Sequence, residues 1–215
     1  MKFSKYIDHT LLATDAKKED IIKLCEEAKE YDFYSVCVQP YYVSLAKECL
    51  KDSDIKVASV IGFPQGQNKT DTKLFEAVRA VHDGADELDI VINVAAVKNK
   101  DYDYIKNEMK VLKKTEAVLK FIIETCLLTR DEIEKICEIA LEIEVDFLKT
   151  STGFSKSGAD LEDVKLMKSI LGDKVKIKAS GGIGDYEKAK SFVDAGASRL
   201  GASKGIQILE GIKNE

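Results

Sequence analysis

Two stretches, Val145-Asp146-Phe147-Leu148-Lys149-Thr150-Ser151-Thr152-Gly153 and Val175-Lys176-Ile177-Lys178-Ala179-Ser180-Gly181-Gly182, share one plan: a short apolar run, a closing lysine, then small turn-forming residues. Short apolar runs bounded by turns read as buried strands. The same kind of run recurs at 6–10, 34–38, 56–61, 87–92, 119–124 and 199–201. Amphipathic stretches lie between. Ile21, Leu24, Cys25 and Ala28 share one helical face, as do Leu74, Ala77, Val78 and Val81, and then Val164, Met167 and Leu171. Thr129-Arg130-Asp131-Glu132 is a capping box, and Gly84, Gly172 and Gly196 stand where helices should stop. Strand and helix alternating in this way predict one parallel sheet closed into a (β/α)8 TIM barrel, a single domain over residues 1–215. A doubly wound sheet would need fewer strands and usually a glycine-rich first turn, and no G-x-G-x-x-G is present.

In such a barrel, chemistry sits at the C-terminal ends of the strands. Lys149 and Lys178 then close neighbouring strands. Burying an ammonium costs on the order of several kcal/mol. Two of them side by side repel, so one gives up its proton nearer neutrality. A neutral lysine amine attacks carbonyls and forms Schiff bases. Most other lysines fall in strings such as Lys110-Val111-Leu112-Lys113-Lys114, which read as wet helix faces. For Lys178 a plainer reading also stands, because Lys176 precedes it on the same strand face and that face could simply be polar.

Asp89 lies in Leu88-Asp89-Ile90-Val91-Ile92. Alternation puts Glu87, Asp89 and Val91 on one face and the aliphatics on the other. If the aliphatics meet the helices, Asp89 points into the barrel and needs a cation, for which Lys149 and Lys178 are the candidates. Asp8, in Ile7-Asp8-His9-Thr10, makes the same argument. The last two loops carry Ser180-Gly181-Gly182-Ile183-Gly184-Asp185 and Gly201-Ala202-Ser203-Lys204-Gly205. Glycines ahead of a helix let backbone N–H groups close on an anion, and barrels often hold phosphate there. Thr152 and Gly153 add a hydroxyl and an amide to the same pocket.

Hydrophobic residues at 45% and charged residues at 33% suit a soluble globular domain, and a net charge of −5 gives no nucleic-acid footprint. No apolar leader opens the chain and no long apolar span follows, so a cytoplasmic protein off the membrane is expected. Five cysteines (Cys25, Cys37, Cys49, Cys126, Cys137) without a C-x-x-C argue against a disulfide framework or zinc ribbon. With only His9 and His82, a metal site would need one of them plus carboxylates, and His82 reads as a helix C-cap.

The strings Asp8-His9-Thr10, Val36-Cys37-Val38-Gln39-Pro40, Gly62-Phe63-Pro64-Gln65-Gly66, Glu87-Leu88-Asp89-Ile90-Val91-Ile92-Asn93, Phe121-Ile122-Ile123-Glu124-Thr125, Lys149-Thr150-Ser151-Thr152-Gly153-Phe154, Lys178-Ala179-Ser180-Gly181-Gly182-Ile183 and Gly201-Ala202-Ser203 together resemble the 2-deoxy-D-ribose-5-phosphate aldolases. The match spans nearly every strand end in order. The resemblance implies a class I aldolase on a (β/α)8 barrel with no metal or other cofactor. Such an enzyme cleaves 2-deoxy-D-ribose 5-phosphate to acetaldehyde and D-glyceraldehyde 3-phosphate in deoxyribose phosphate catabolism. It implies that Lys149 forms the Schiff base, that Lys178 lowers its pKa, and that Asp89 relays protons with Asp8 and Thr10 close by. Cys37 falls near the aldehyde pocket, though a cysteine within a strand is more often plain core. The resemblance further implies that Gly153, Gly181, Gly182 and Ser203 would hold the phosphate, with Thr152 and Gly201 alongside. A homo-oligomer, dimer or tetramer, stays open.

Three departures stand out. Family members often carry a second serine where this chain has Lys204. Phe154 replaces a basic residue found in some relatives. Some relatives end in a tyrosine that dips into the site, whereas this sequence closes with Gly211-Ile212-Lys213-Asn214-Glu215, leaving that proton step to other groups. Two rivals keep the phosphate loops without needing Lys149: an isomerase or epimerase with carboxylate bases, and a non-catalytic phosphosugar-binding barrel.

Overall fold

The computed structural model describes residues 2–212. Its strands are β1 (Ile7–Leu11), β2 (Ser35–Val38), β3 (Lys56–Ile61), β4 (Glu87–Val91), β5 (Val118–Ile122), β6 (Phe147–Lys149), β7 (Lys176–Ser180) and β8 (Arg199–Ala202), closed in chain order into a parallel barrel. Ile7 pairs with Leu200 to complete the ring. The helices are α1 (Lys18–Glu30), α2 (Val43–Cys49), α3 (Thr70–His82), α4 (Val94–Lys98), α5 (Tyr102–Leu112), α6 (Arg130–Ile143), α7 (Leu161–Leu171), α8 (Tyr186–Asp194) and α9 (Gly205–Ile212). The predicted barrel is therefore present, with the short α4 as an extra turn after β4.

Local chemistry explains the boundaries. Thr129 accepts from the amide of Glu132, whose carboxylate accepts in turn from the Thr129 amide, so α6 opens on the expected capping box. At Gly84 and Gly196 the chain turns left-handed (φ +109 at both), and the next amides, of Ala85 and Ala197, reach back to the carbonyls of Ala80 and Phe192. These are Schellman-type stops that launch β4 and β8. The same stop is made without glycine at Asp32 and Glu144, which is why those two ends carry no glycine signal.

Aliphatics on the outer strand faces pack beneath the helices as one continuous core. Apart from that core, among the described residues, lies a small apolar cluster of Leu12, Cys37, Ala58 and Val60 with Phe63 against it. Along α3 the buried face differs from the expected one. Lys73, Ala77 and Ala80 point inward, while Val78 is half exposed. The cause is a fully buried ion pair: Lys73 Nζ lies 2.8 Å from Glu108 Oε1 and donates to the Val91 carbonyl at 2.7 Å. Burial pushes both partners toward their neutral forms, with Lys73 down and Glu108 up. The pair pins the ends of β3 and β4, since Gly62 sits directly on the Lys73 stem and Glu108 also accepts from the Asn93 amide. Among the described residues no helix is long and apolar enough to cross a membrane.

Replacing one member of that pair strands its partner. Lys73→Met is expected to cost roughly 3–5 kcal/mol in urea unfolding, and Lys73→Met with Glu108→Leu should recover most of it.

Candidate active site

The interior of the barrel is charged on the side formed by β4 to β8 and β1. Asp89, on β4, is fully buried and meets three ammonium groups. Lys149 Nζ and Lys178 Nζ both donate to its Oδ2 at 2.7 Å, and Lys120 Nζ donates to Oδ1 at 3.0 Å. Lys178 also lies 2.5 Å from Asp8 Oδ2. Below them Lys120 reaches Glu87 at 2.5 Å, and Arg199 bonds Asp8 at 2.6 Å and Glu87 at 3.4 Å. The guanidinium stacks 3.4 Å from the centre of the Tyr34 ring, sealing the bottom of the barrel. The register makes this convergence possible, because Lys149 pairs with Lys178, and Asp89 with Lys120, on adjoining strands.

Burial and partners sort the charges. Burial dominates at Lys149 and, with repulsion from Lys178, outweighs the attraction of Asp89 and draws its pKa below the ordinary lysine value. Burial works the same way on Lys178 and Lys120. There the carboxylates, Asp8 and Asp89 for Lys178 and chiefly Asp89 for Lys120, win and hold both above that value. For Asp8 and Asp89 burial favours the protonated form, yet the surrounding cations hold both well below the usual carboxylate range. Repulsion from Lys178 is thus real but secondary to desolvation in tuning Lys149.

Above Lys149 opens a cavity of about 520 Å³ whose lining includes Thr10, Thr152, Gly153, Gly181, Gly182, Gly201 and Ser203. Every one of these was expected from the sequence. Asp8, Asp89 and Lys178 lie in the layer beneath, and Thr10 Oγ1 donates to the Asp8 carbonyl. Lys176 stays exposed at the far end of β7, so that strand is not simply a polar face. Cys37 stands apart from the cavity lining, its Sγ 3.9 Å from Asp89 Oδ2, and burial pushes its thiol up to about 11. Phe154 and Lys204 also line the cavity, and Phe154 meets Phe63 edge-on at 5.3 Å. His9 faces away, against Glu27 at 2.7 Å. Among the described residues no group of three or more His, Cys, Asp or Glu is arranged to hold a metal ion. The expectation about a missing terminal tyrosine concerns residues 213–215, which lie outside the described residues.

The glycine loops interlock. Gly181, at φ +87, lies so close to Gly158 that a Cβ on it would sit 2.8 Å from the Gly158 Cα, and Ala159 donates to the carbonyls of Ser180 and Gly181. Backbone thereby occupies the space a side chain at either glycine would need.

Known proteins match this arrangement along its whole length. The family model described as DeoC/LacD family aldolase matches residues 2–211. The chain belongs to that family. A deoxyribose-phosphate aldolase of Thermococcus gammatolerans is 54% identical over 220 residues, covering 100% of this chain and 98% of the relative. The solved structure of QR15, an aldolase, superposes with a TM-score of 0.94 at 45% identity, covering 100% of this chain and 97% of that one. The tetrameric deoxyribose phosphate aldolase from Aeropyrum pernix gives 0.90 at 31% identity, over 98% and 91%.

Sequence reasoning missed three members of this aldolase's interior: Lys120, Glu87 as a partner, and Arg199. Lys120 carried the same signal as Lys149, a lysine among apolar residues, but in mid-strand. Glu124 was also missed as a support. Left-handed at φ +54, it accepts from the amide and hydroxyl of Thr152, the latter at 2.5 Å.

Gly181→Ala should lower stability by roughly 1–3 kcal/mol through backbone strain and the clash with Gly158. Gly153→Ala has equal strain but open space, its nearest neighbour being 3.9 Å away, and should lose less. Thermal denaturation of the two variants checks the order.

Proposed function

We propose that the chain is a class I aldolase that reversibly cleaves 2-deoxy-D-ribose 5-phosphate to acetaldehyde and D-glyceraldehyde 3-phosphate through a Schiff base on Lys149. One observation carries the reading. A buried amine with a lowered pKa lines a cavity that is also lined by the glycine loops after β6, β7 and β8. Both ends of a phosphorylated aldehyde are then provided for.

In this reading the Lys149 amine adds to the C1 aldehyde, and loss of water leaves an iminium. The iminium withdraws electrons, so the C2–C3 bond breaks once the C3 hydroxyl gives up its proton. Glyceraldehyde 3-phosphate departs and an enamine remains, to be protonated at C2 and hydrolysed to acetaldehyde and free amine. Asp89 Oδ2, shared between Lys149 and Lys178, lies where a proton can pass between the two nitrogens, and a water above them would carry it to the substrate. Gly153, Gly181, Gly182 and Ser203 take the phosphate with backbone amides and a hydroxyl, joined by the Lys204 ammonium. Anchoring the far end holds the scissile bond in register. No metal or other cofactor has a step in this sequence.

An isomerase or epimerase would need a free carboxylate base facing the cavity. Asp8 and Asp89 are instead clasped by cations beneath the floor, which favours the covalent route. Assembly into a homo-oligomer accords with the tetrameric relative from Aeropyrum pernix.

Borohydride reduction in the presence of acetaldehyde should leave an ethyl adduct on the Lys149 peptide in mass spectrometry, and its absence would end the Schiff-base reading. Lys149→Arg should lose roughly a thousandfold or more in turnover. Ligand-dependent thermal stabilisation with full turnover retained in that variant would favour a site elsewhere. Lys178→Leu removes a cation beside Lys149, so the rising limb of the pH–rate profile should move to higher pH.

A further inference from the structure

Among the described residues, seven ionisable side chains meet in the sealed interior as one connected array: four cations, Lys120, Lys149, Lys178 and Arg199, and three carboxylates, Asp8, Glu87 and Asp89. None is more than 5% exposed. A set of four against three cannot be neutral with every group ionised, and burial leaves little room for solvent to screen the surplus. We propose that Glu87 and Arg199, at the bottom of the barrel and out of reach of the cavity, are positioning residues that set the proton count of the interior and thereby make Lys149 the member that gives up its proton.

The geometry decides which cation yields. Arg199 cannot be deprotonated in a protein, and it is held by two carboxylates and the Tyr34 ring face. Lys120 has Glu87 at 2.5 Å, Asp89 at 3.0 Å and Asp8 at 3.9 Å. Lys178 has Asp8 and Asp89. Lys149 has only Asp89, through an oxygen it shares with Lys178, and the Cys37 thiol beside that oxygen is neutral. The surplus proton is therefore bound most weakly at Lys149, the one lysine of the set that lines the cavity. The Glu87–Arg199 layer transmits its charge upward through Lys120 and Asp8, without touching the reacting atoms.

Charge counting gives opposite signs for two neighbours. Arg199→Gln leaves three cations and three carboxylates, so all the lysines can stay protonated and Lys149 binds its proton more tightly. Glu87→Gln leaves four against two, so Lys149 releases its proton more readily. Removing both restores a surplus of one.

This inference rests on the Schiff-base reading of Lys149, and the test separates the two. The initial rate of ethyl-adduct formation on Lys149, with acetaldehyde and cyanoborohydride, is followed by mass spectrometry across pH in the intact protein. The limb should move up by about one pH unit in Arg199→Gln and down by about one in Glu87→Gln. That is the lower end of what a unit charge roughly 8–12 Å away contributes at an effective permittivity of about 20. The double variant should return to the wild-type limb, and the charge-preserving Arg199→Lys and Glu87→Asp should stay on it. If Arg199→Gln does not fold, as judged by circular dichroism, Lys120→Gln removes a cation from the same array and carries the same upward shift. No adduct on wild-type Lys149 at any pH would overturn the Schiff-base reading. An adduct whose limb stays fixed, or moves the same way in both single variants, would overturn the role of Glu87 and Arg199 alone.

Discussion

Three ammonium groups converge on the two oxygens of one carboxylate, Asp89, and the interior of the barrel is organised around that contact. Without a carboxylate at this place, Lys120, Lys149 and Lys178 would repel one another inside a ring from which water is excluded. With it, two of the three are held charged and the third is left marginal. The strands supply the constraint: parallel neighbours fix which residues lie abreast, and Lys149 beside Lys178 is a property of register. A one-residue slip of β6 would turn Leu148 inward and Lys149 toward the helices, where nothing could receive it.

A barrel interior is usually filled by layers of branched aliphatics. Here Leu12, Cys37, Ala58 and Val60 pack together on the β2–β3 side, and Val91, Ile122 and Phe147 are buried on the strand faces that carry Asp89, Lys120 and Lys149. The remaining space is taken by ion pairs, which are weak contributors to stability once desolvation is counted. Stability must then come from outside the ring, where aliphatics of all eight strands meet the helices, and from the Lys73–Glu108 pair that fastens the ends of β3 and β4. The division is one of labour. The outer layer holds the ring closed, and the inner layer is free to be electrostatically strained.

Much of this was legible from the residues. Eight apolar runs separated by amphipathic stretches led to the barrel because both faces of a parallel strand are buried and its apolar run is therefore unbroken. Lys149 was legible because a lysine ending such a run is improbable without a purpose. Lys120 and Arg199 were not, for a physical reason. Mid-strand position says which face a side chain takes only when the neighbouring faces are known, and their partners, Glu87 and Asp8, come from strands far away in sequence. The left-handed stops at Asp32 and Glu144 left no trace because a non-glycine residue there is chosen by context and not by its own preference. The buried face of α3 was misread for a related cause: Lys73 counts as polar in any pattern, and only its partner on α5 turns it inward.

The position of Glu124 shows how the outer and inner layers communicate. Its left-handed backbone sits just past β5, and its carboxylate is fastened to the Thr152 amide and hydroxyl without a cation. Thr152 belongs to the turn that follows Lys149 and also walls the cavity. A buried carboxylate bonded to neutral donors holds the turn without bringing a further cation beside the marginal amine. Supporting the turn with a lysine or arginine would have brought another cation close to the marginal amine and shifted its proton again. Strain at one residue just past β5 therefore keeps the turn after Lys149 in place while leaving the proton balance of the interior to the groups that line it.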